Sequence, residues 1–406
     1  MTVLSLRDLN LSRRAALKYL KKISPQLGTF YRDNRNFDKG PSNHNAVTKL
    51  SPSLRHRVLL EQEVIRIILL SHSFHNAEKF ITEVFWRTYW KGWLEMRPTV
   101  WQDYKNQRDQ DLINWKNNDK LIKALDGVTG IDCFDSWVKE LCETNYLHNH
   151  ARMWFASIWI FTLQLPWTLG ADFFLKHLLD GDPASNTLSW RWVAGLQTRG
   201  KTYLALADNI RKFTLERFNP KNNIIATAQP LEWQEPPKPQ KILQNEDVKS
   251  NVPTLLIVTE DDLSIKDAPL PHSNIVGIIS LNSTKDRSIT QVSDSVLKFS
   301  AEAIDVSVTD YVKRNATPIT YISDGPIGEI PKIAHELGVS QIVSLYSPVG
   351  PSQDTIGKVN AITKKQGLPV ITIMRDWDTN CWPYATKGFF KFKEAIPTII
   401  KEFNLT

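Results

Sequence analysis

The segment from Asp180 to Trp192 concentrates side chains that can hold a flat, polar ligand. Its thirteen residues include Asp180, Asp182, Asn186, Trp190 and Trp192. Carboxylates and an amide can hydrogen-bond the edges of such a ligand, and indole rings can stack on its faces. The chain as a whole is positive, with 50 Lys and Arg against 43 Asp and Glu, so these acids need basic partners.

A basic partner is available in residues 147–159, "LHNHARMWFASIW", where Arg152 begins an otherwise apolar helix. A guanidinium in such a helix requires a carboxylate in good geometry, and either Asp180 or Asp182 can supply it. The pair is then either a structural ion pair between two helices or one wall of a site whose planar ligand becomes charged.

Two further segments carry side chains suited to ligands. In "FITEVFWRTYW", Glu83, Trp86 and Trp90 share one helix face, which predicts either a stacking surface with one hydrogen-bond acceptor or a Trp-rich core helix. In "NAVTKLSPSL", Thr48 and Ser51 gather hydroxyls and backbone amides where a helix starts, and such a start attracts phosphate.

The elements that position these residues divide the chain in two. From residue 11 to about 217 the apolar spacing is three and four, which predicts an all-α domain over residues 1–222. A proline-rich stretch predicts a linker over 223–252. Over 253–406, short β-branched runs alternate with helical segments, which predicts a Rossmann-like parallel α/β domain. The turn after its first strand, "TEDDLS", has no glycine-rich phosphate loop.

Composition narrows the class of protein. Residues 1–220 contain 31 Lys and Arg against 22 Asp and Glu, a net charge of +9, and eleven of the fourteen tryptophans. Basic surface with interleaved aromatics suits nucleic acid, although a solvated basic face over a Trp-rich core has the same composition. Three cysteines and scattered histidines predict no disulfide framework and no metal site. Without an apolar span or signal core, we expect a soluble, cytoplasmic monomer.

Seven segments together resemble the FAD-binding helical domain of the DNA photolyase and cryptochrome family, over roughly residues 10–220. They are "YRDNRN", "TKLSPSL", "EVFWRTYW", "TGIDCFD", "LHNHARM", "LLDGDPASN" and "WRW", in that order. The resemblance implies that Asp180 pairs with Arg152 beside the flavin ring, that Asp182 lies at its pyrimidine edge and that Asn186 faces N5. The remaining cofactor-binding residues that it implies are Tyr31, Arg35, Thr48, Lys49, Leu50, Ser51 and Asn149.

The same resemblance implies a pocket for a flipped-out pyrimidine dimer. Trp86 and Trp192 would clamp the dimer and Glu83 would hydrogen-bond its base edges. Met153 is similar to dimer-specific enzymes, whereas six-four enzymes carry histidine there. His150 departs from the arginine usual in the dimer enzymes. The substrate-binding residues are thus Glu83, Trp86, Arg87, Asn149, His150, Met153 and Trp192.

Three tryptophans match the family's electron-transfer chain to the photoexcited flavin: Trp190, Trp167 and Trp115. Indole has an accessible radical cation, so such residues can relay an electron over a distance that no single transfer covers. With Asn186 and Glu83, they complete the predicted catalytic set. The alternative is that a Trp-rich core contains three such residues by chance.

The second half resembles the family's antenna domain, which normally precedes the helical domain. "LLIVTEDDLSIKDAPL" keeps Asp262, Leu263 and Asp267, but Glu260 and Ser264 replace arginines, so binding of a second chromophore is left open. "GFFKFKEAIP" is similar to the antenna domain's aromatic tail. A basic stretch, residues 194–214, replaces a family loop and offers a different contact to the DNA backbone.

The resemblance therefore implies a deoxyribodipyrimidine photolyase that repairs cyclobutane pyrimidine dimers in UV-damaged DNA with reduced FAD and light. Its surface phosphate contacts would make binding salt-dependent. A blue-light sensor built on the same flavin and tryptophans, or repair of six-four photoproducts, are the alternatives.

Overall fold

The computed structural model describes residues 5–41, 43–243, 246–270, 274–315 and 318–406. In this part of the chain, every helix up to residue 213 precedes the first strand. The helices of this first half are α1 (Leu6–Leu11), α2 (Arg13–Ile23), α3 (Thr29–Asn34), α4 (Ser51–Arg55), α5 (Glu61–Leu69), α6 (Phe74–Glu95), α7 (Thr99–Trp115), α8 (Asp119–Asp126), α9 (Asp132–Thr144), α10 (Asn149–Ser157), α11 (Trp167–His177), α12 (Pro183–Ala194) and α13 (Ala207–Phe213). A π-helical turn, Ile158–Thr162, extends α10.

The second half is a parallel sheet with helices. Its strands are β1 (Pro253–Thr259), β2 (Asn274–Leu281), β3 (Thr320–Ile322), β4 (Gln341–Leu345) and β5 (Val370–Ile373), in the order β3-β2-β1-β4-β5. The helices are α14 (Asp294–Arg314), α15 (Ile330–Glu336), α16 (Pro351–Thr363), α17 (Asp376–Cys381), α18 (Phe389–Lys393) and α19 (Ile396–Glu402). An all-α part followed by a parallel α/β part confirms the predicted fold class.

Local sequence explains both patterns. The central strand β1 reads as one apolar run because helices cover both faces of a parallel sheet, and all its residues after Pro253 are buried. Helix α8 shows how helices of the first half begin and end. The Asn118 side chain caps its first turn, and Gly127 ends it at φ 64°. Between Phe213 and Pro253 the described residues form neither helix nor strand, where the sequence predicts the linker.

The last helices of the chain complete the core of the first half. Trp377, Phe392 and Ile399, from α17, α18 and α19, belong to the same buried cluster as the tryptophans of α6 to α12. Gly92 of α6 allows this approach, because a Cβ atom there would lie 2.8 Å from the Trp382 side chain. The segment 376–402 therefore follows the sheet in sequence but packs against the helical half.

Buried ion pairs join the two halves. Arg57, which follows α4, pairs with Asp378 of α17 at 2.6 Å and lies 3.3 Å from Asp262, after β1. Arg375 makes two hydrogen bonds to the same Asp262, of 2.6 and 2.7 Å. All four side chains are at most 8% exposed. Such pairs specify how the halves dock because an unpaired charge there has no access to water.

None of the helices in the described ranges has the length and apolar character that a bilayer span requires.

Replacing Arg57 tests this interface. In Arg57→Met the carboxylates of Asp262 and Asp378 keep their burial but lose a cation, so we expect the free energy of unfolding to fall by about 3–5 kcal/mol. The matched control, Arg314→Met, breaks an exposed pair with Asp310 and should cost less than about 1 kcal/mol. Denaturant unfolding measures both, and equal effects would contradict a role for Arg57 in docking.

Candidate functional site

The first turn of α12 fixes the central side chains of the site. Asp182 is the N-cap of this helix and accepts a hydrogen bond of 2.7 Å from the Ser185 amide. Asn186 and Trp190 follow one and two turns later on the same face, since residues four apart align along a helix. Asp182, Asn186 and Trp190 thus lie along one face of α12.

Asp180 and Arg152 form the ion pair that the sequence predicts. The Arg152 Nη2 and Asp180 Oδ2 atoms are 3.0 Å apart, and Arg152 also donates to the Leu147 carbonyl. Burial works to raise the pKa of Asp180, but the Arg152 guanidinium outweighs it and holds that pKa below its ordinary value. The carboxylate is therefore charged at neutral pH.

Asp182 faces three cations at longer range. Its Oδ2 atom is 3.5 Å from Arg87, 3.6 Å from Arg55 and 3.7 Å from Lys91. Burial acts to raise the pKa of Asp182, yet the combined field of Lys91, Arg55 and Arg87 lowers it strongly. Arg55 also pairs with Asp261, and Arg152 pairs with Asp180. The cluster therefore contains four cations, Arg55, Arg87, Lys91 and Arg152, and three carboxylates, Asp180, Asp182 and Asp261. The excess positive charge favours an anionic ligand.

Asn186, one turn after Asp182 on α12, offers a neutral hydrogen-bond acceptor. Its Nδ2 atom donates to the Ala171 carbonyl at 2.8 Å, which fixes the amide orientation. Within the described part of the chain, no hydrogen bond is made to its Oδ1 atom. That oxygen suits an N–H donor, and the neutral amide does not repel a negatively charged ring.

The donor set fits the FAD that the resemblance implies. Three buried polar atoms around the cluster make no hydrogen bond within the described part of the chain: Asp180 Oδ1, Arg87 Nη1, which only faces Asp182 at 3.5 Å, and Ser185 Oγ. Leaving buried polar groups unpaired costs about 1–3 kcal/mol each, so their presence indicates a polar ligand. A flavin ring, with hydrogen-bonding atoms along one edge, can satisfy such groups.

The residues expected to hold the rest of FAD lie on two elements. Tyr31 and Arg35 are in and just after α3, with the Arg35 guanidinium 5.7 Å from the Tyr31 ring centroid. In the second group, the Thr48 hydroxyl accepts from the Leu50 amide at 3.2 Å, Lys49 has φ 54°, and Ser51 begins α4. Burial lowers the pKa of Lys49.

Two residues predicted for different ligands pair with each other. Arg35, expected at the cofactor, lies 2.6 Å from Glu83, expected at the substrate. Burial raises the pKa of Glu83, and Arg35 counteracts part of that shift. The pair brings a residue predicted to bind the cofactor next to one predicted to bind the substrate, where α3 meets α6.

The predicted clamp residue Trp86 is stacked against the C-terminal half. Its ring centroid lies 3.5 Å from that of Phe389, with the planes at 11°. Trp90 lies 5.2 Å from the same Trp86 ring. Phe389 thus contributes to the surface that the sequence argument built from α6 alone.

The other substrate predictions gather around α10 and α12. Asn149 and Met153 are one turn apart on α10, and Asn149 is exposed. Trp192 stacks on Tyr203, with centroids 5.7 Å apart and planes at 28°. His150 accepts a 3.0 Å hydrogen bond from that same tyrosine.

The three predicted electron-transfer tryptophans run from the core towards the surface. Trp190 is 2% exposed and contacts Trp159 and Phe174, whereas Trp167 is 4% exposed. Trp115 is half-buried, and it lines a cavity of about 590 Å³ together with Trp167. Gly170 admits the Trp190 ring, because a Cβ atom there would lie 2.3 Å from it.

Sequence reasoning missed several residues of this region. Lys91 continues the stripe of Glu83 and Arg87 at intervals of four, so helical spacing could have identified it. Tyr203 and Phe389 had no such signal, because Tyr203 lies in a stretch without helix or strand and Phe389 belongs to a helix far along the chain.

A second buried cluster combines His44 with Asp38 and Glu140, a set that could ligate a metal, whereas the sequence predicts no metal site. The His44 Nε2 atom is 2.9 Å from Glu140. Asp38 already accepts from Trp137 and pairs with Arg217 at 2.9 Å. The carboxylates of the cluster are thus engaged as a network of ion pairs and hydrogen bonds.

In the α/β half, the residues that resemble the antenna domain are tied into the interface. Asp262 pairs with Arg375, whose Nη1 atom also donates to the Asp267 carbonyl. Glu260 is buried, and burial together with Asp261 raises its pKa to about 7. A separate cavity of about 460 Å³ at the carboxyl ends of β2 and β3 is lined by Ser283, Lys285 and other residues.

Part of the chain is similar to known proteins. Residues 80–227 match the family model described as the FAD-binding domain of DNA photolyase. The chain is 31% identical over 186 residues to a deoxyribodipyrimidine photo-lyase of Streptomyces griseus, covering 42% of this chain and 40% of that protein. It is 27% identical over 217 residues to one of Alkalihalophilus pseudofirmus, covering 53% and 44%.

Among solved structures, a bacterial class III photolyase from Agrobacterium tumefaciens is similar, at 24% identity and a TM-score of 0.42. That match covers 50% of this chain and 42% of the other. The chain spans about two fifths of the length of these curated relatives.

Removing one charge tests the cofactor assignment. In Asp180→Asn the Arg152 guanidinium loses its partner, so we expect the Kd for FAD to rise at least about tenfold. Asp310→Asn, which alters an exposed pair, should leave that Kd unchanged. Flavin fluorescence during titration gives both values, and an unaltered Kd in Asp180→Asn would remove this pair from the flavin site.

Proposed function

We propose that the protein repairs cyclobutane pyrimidine dimers in DNA by light-driven electron transfer, because residues 80–227 match the family model described as the FAD-binding domain of DNA photolyase. The observations that carry the proposal are the Asn186 amide, held by Ala171 one turn along α12 from Asp182, and the buried Arg152–Asp180 pair. When bound between these residues, reduced FAD would supply the photochemistry, a light-driven loan of one electron to the dimer with no net redox change.

The charges of this chain favour the electron-rich form of the cofactor. Four cations against three carboxylates stabilise negative charge at the site, and the Asn186 carbonyl oxygen can accept from a ring N–H. A carboxylate at the position of Asn186 would oppose that charge. This pattern supports a cofactor that stays reduced and ready to donate.

The substrate surface would be formed by Glu83, Trp86, Met153 and Trp192. The indole rings would clamp a flipped-out pyrimidine dimer through stacking, and the Glu83 carboxyl group would hydrogen-bond the base edges. Because burial raises the pKa of Glu83, its protonated form is more accessible than in an exposed glutamate. The net charge of +9 over residues 1–220 supports binding to the DNA backbone.

One contact favours a second candidate, a blue-light sensor. Phe389 covers one face of Trp86, which narrows the access of a base to that ring. In a sensor, α18 would carry a signal from the flavin site to the α/β half. Illuminated repair of DNA separates the two functions.

The direct test uses the full chain with FAD reduced by dithionite and an oligonucleotide that contains one thymine dimer. Under blue light we expect reversal of the dimer, and none in the dark. Flavin binding without any reversal would contradict repair and support the sensor.

The electron chain has its own test. Trp190→Phe should slow photoreduction of oxidised flavin at least about tenfold, since phenylalanine has no accessible radical cation, while chemically reduced enzyme retains its repair rate. Trp233→Phe, in the stretch without helix or strand, is the matched control. Absorption spectroscopy under illumination measures the rate, and normal photoreduction in Trp190→Phe would place the electron path elsewhere.

A further inference from the structure

Two departures from the family pattern meet in space. His150 stands where dimer enzymes usually have arginine, and residues 194–214 replace a family loop. The Tyr203 side chain, from that loop, makes a 3.0 Å hydrogen bond to His150 Nε2. Nothing in the local sequence of either segment predicts this contact.

His150 is held rigidly by groups other than Tyr203. Its Nδ1 atom donates to the Asn36 carbonyl at 2.9 Å, which leaves Nε2 as the acceptor in the neutral ring. The ring stacks on Trp154, with centroids 3.9 Å apart and planes at 25°. Burial lowers the pKa of His150, so the neutral form is favoured at physiological pH.

Tyr203 is held from both ends. Its amide donates to the Val193 carbonyl at 3.2 Å, and the amide of Ala205 donates to Ser157 at 2.8 Å. The Tyr203 ring faces the Trp192 ring at a centroid separation of 5.7 Å. Its hydroxyl therefore cannot turn away from His150 without displacing the ring that supports Trp192.

We propose that Tyr203 and His150 form a positioning pair that fixes the Trp192 indole as one wall of the dimer pocket. The inference rests on the proposed repair function, extends it to Tyr203 and gives His150 a positioning role in place of the expected substrate contact. The Asn36 carbonyl orients His150, His150 orients the tyrosine, and the tyrosine ring orients Trp192. A neutral hydrogen-bonded pair here replaces the cation that arginine would supply.

Stacking requires this kind of support. A flipped base gains stacking energy only if the indole plane already has the correct tilt, because freezing a mobile ring on binding costs conformational entropy. The pair thus acts on substrate binding rather than on electron transfer. Trp190, Trp167 and Trp115 do not contact Tyr203 or His150 in any ring contact of the described residues.

Two variants of Tyr203 separate the role of its hydroxyl group from that of its ring. Tyr203→Phe keeps the ring and removes the hydroxyl, so KM for the dimer oligonucleotide should rise about threefold to tenfold. Tyr203→Leu also removes the stack and should raise KM at least about tenfold. In both, kcat and flavin photoreduction should stay within about twofold of the unaltered protein. Tyr384→Phe, at a 41% exposed tyrosine, is the matched control.

Coupling between the two residues is tested by a double-mutant cycle. His150→Phe keeps the stack on Trp154 and removes the acceptor, so its effect on KM should not add to that of Tyr203→Phe. Full additivity of the two effects would overturn the pair.

A readout without DNA keeps the proposal testable apart from repair. Fluorine NMR of protein labelled with 5-fluorotryptophan gives a signal for Trp192, which Trp192→Phe identifies by its loss. This signal should shift or broaden in Tyr203→Phe but not in Tyr384→Phe. An unchanged signal together with unchanged KM would overturn the positioning role. If the unaltered protein repairs no dimer, the proposed function fails, and with it the pocket, even where the fluorine signal responds.

Discussion

Burial of charge at the start of α12 is the constraint on which the rest of the structure depends. Asp180 and Asp182 are 6% and 3% exposed, so each must be compensated by a cation rather than by water. The cations come from four different places: α4, two turns of α6, and α10. Those elements must therefore meet at this point, whatever else the fold does.

Arg55 extends the same constraint to the second half of the chain. It lies 3.6 Å from Asp182 and donates to the Gly181 carbonyl, while its Nη1 atom pairs with Asp261, after β1. A single buried guanidinium thereby links the candidate flavin site to the carboxyl end of the central strand. Disturbing the α/β half would leave this charge partly unpaired next to the site, so the two halves are energetically coupled.

The C-terminal helices also connect the two halves, at the proposed substrate surface. They lie beyond the sheet in sequence, yet their aromatic side chains complete the core of the helical half, and Phe389 stacks on Trp86. The α/β half is therefore more than an appended cap. Arg57 and Arg375 supply positive charge to Asp262 within the stretch that resembles the antenna domain.

The sequence alone determined the two-part architecture, because helical and strand periodicities are local properties of a chain. It also predicted that Arg152 pairs with Asp180 or Asp182, since a charge in an apolar helix needs a carboxylate, and the family resemblance implied Asp180. Only the tertiary structure decided that Arg35 pairs with Glu83, that Phe389 covers Trp86 and that Tyr203 joins His150 to Trp192. The Arg35–Glu83, Tyr203–His150 and Phe389–Trp86 contacts join residues 48 to 303 apart in the chain, and packing geometry, which no local pattern encodes, selects them.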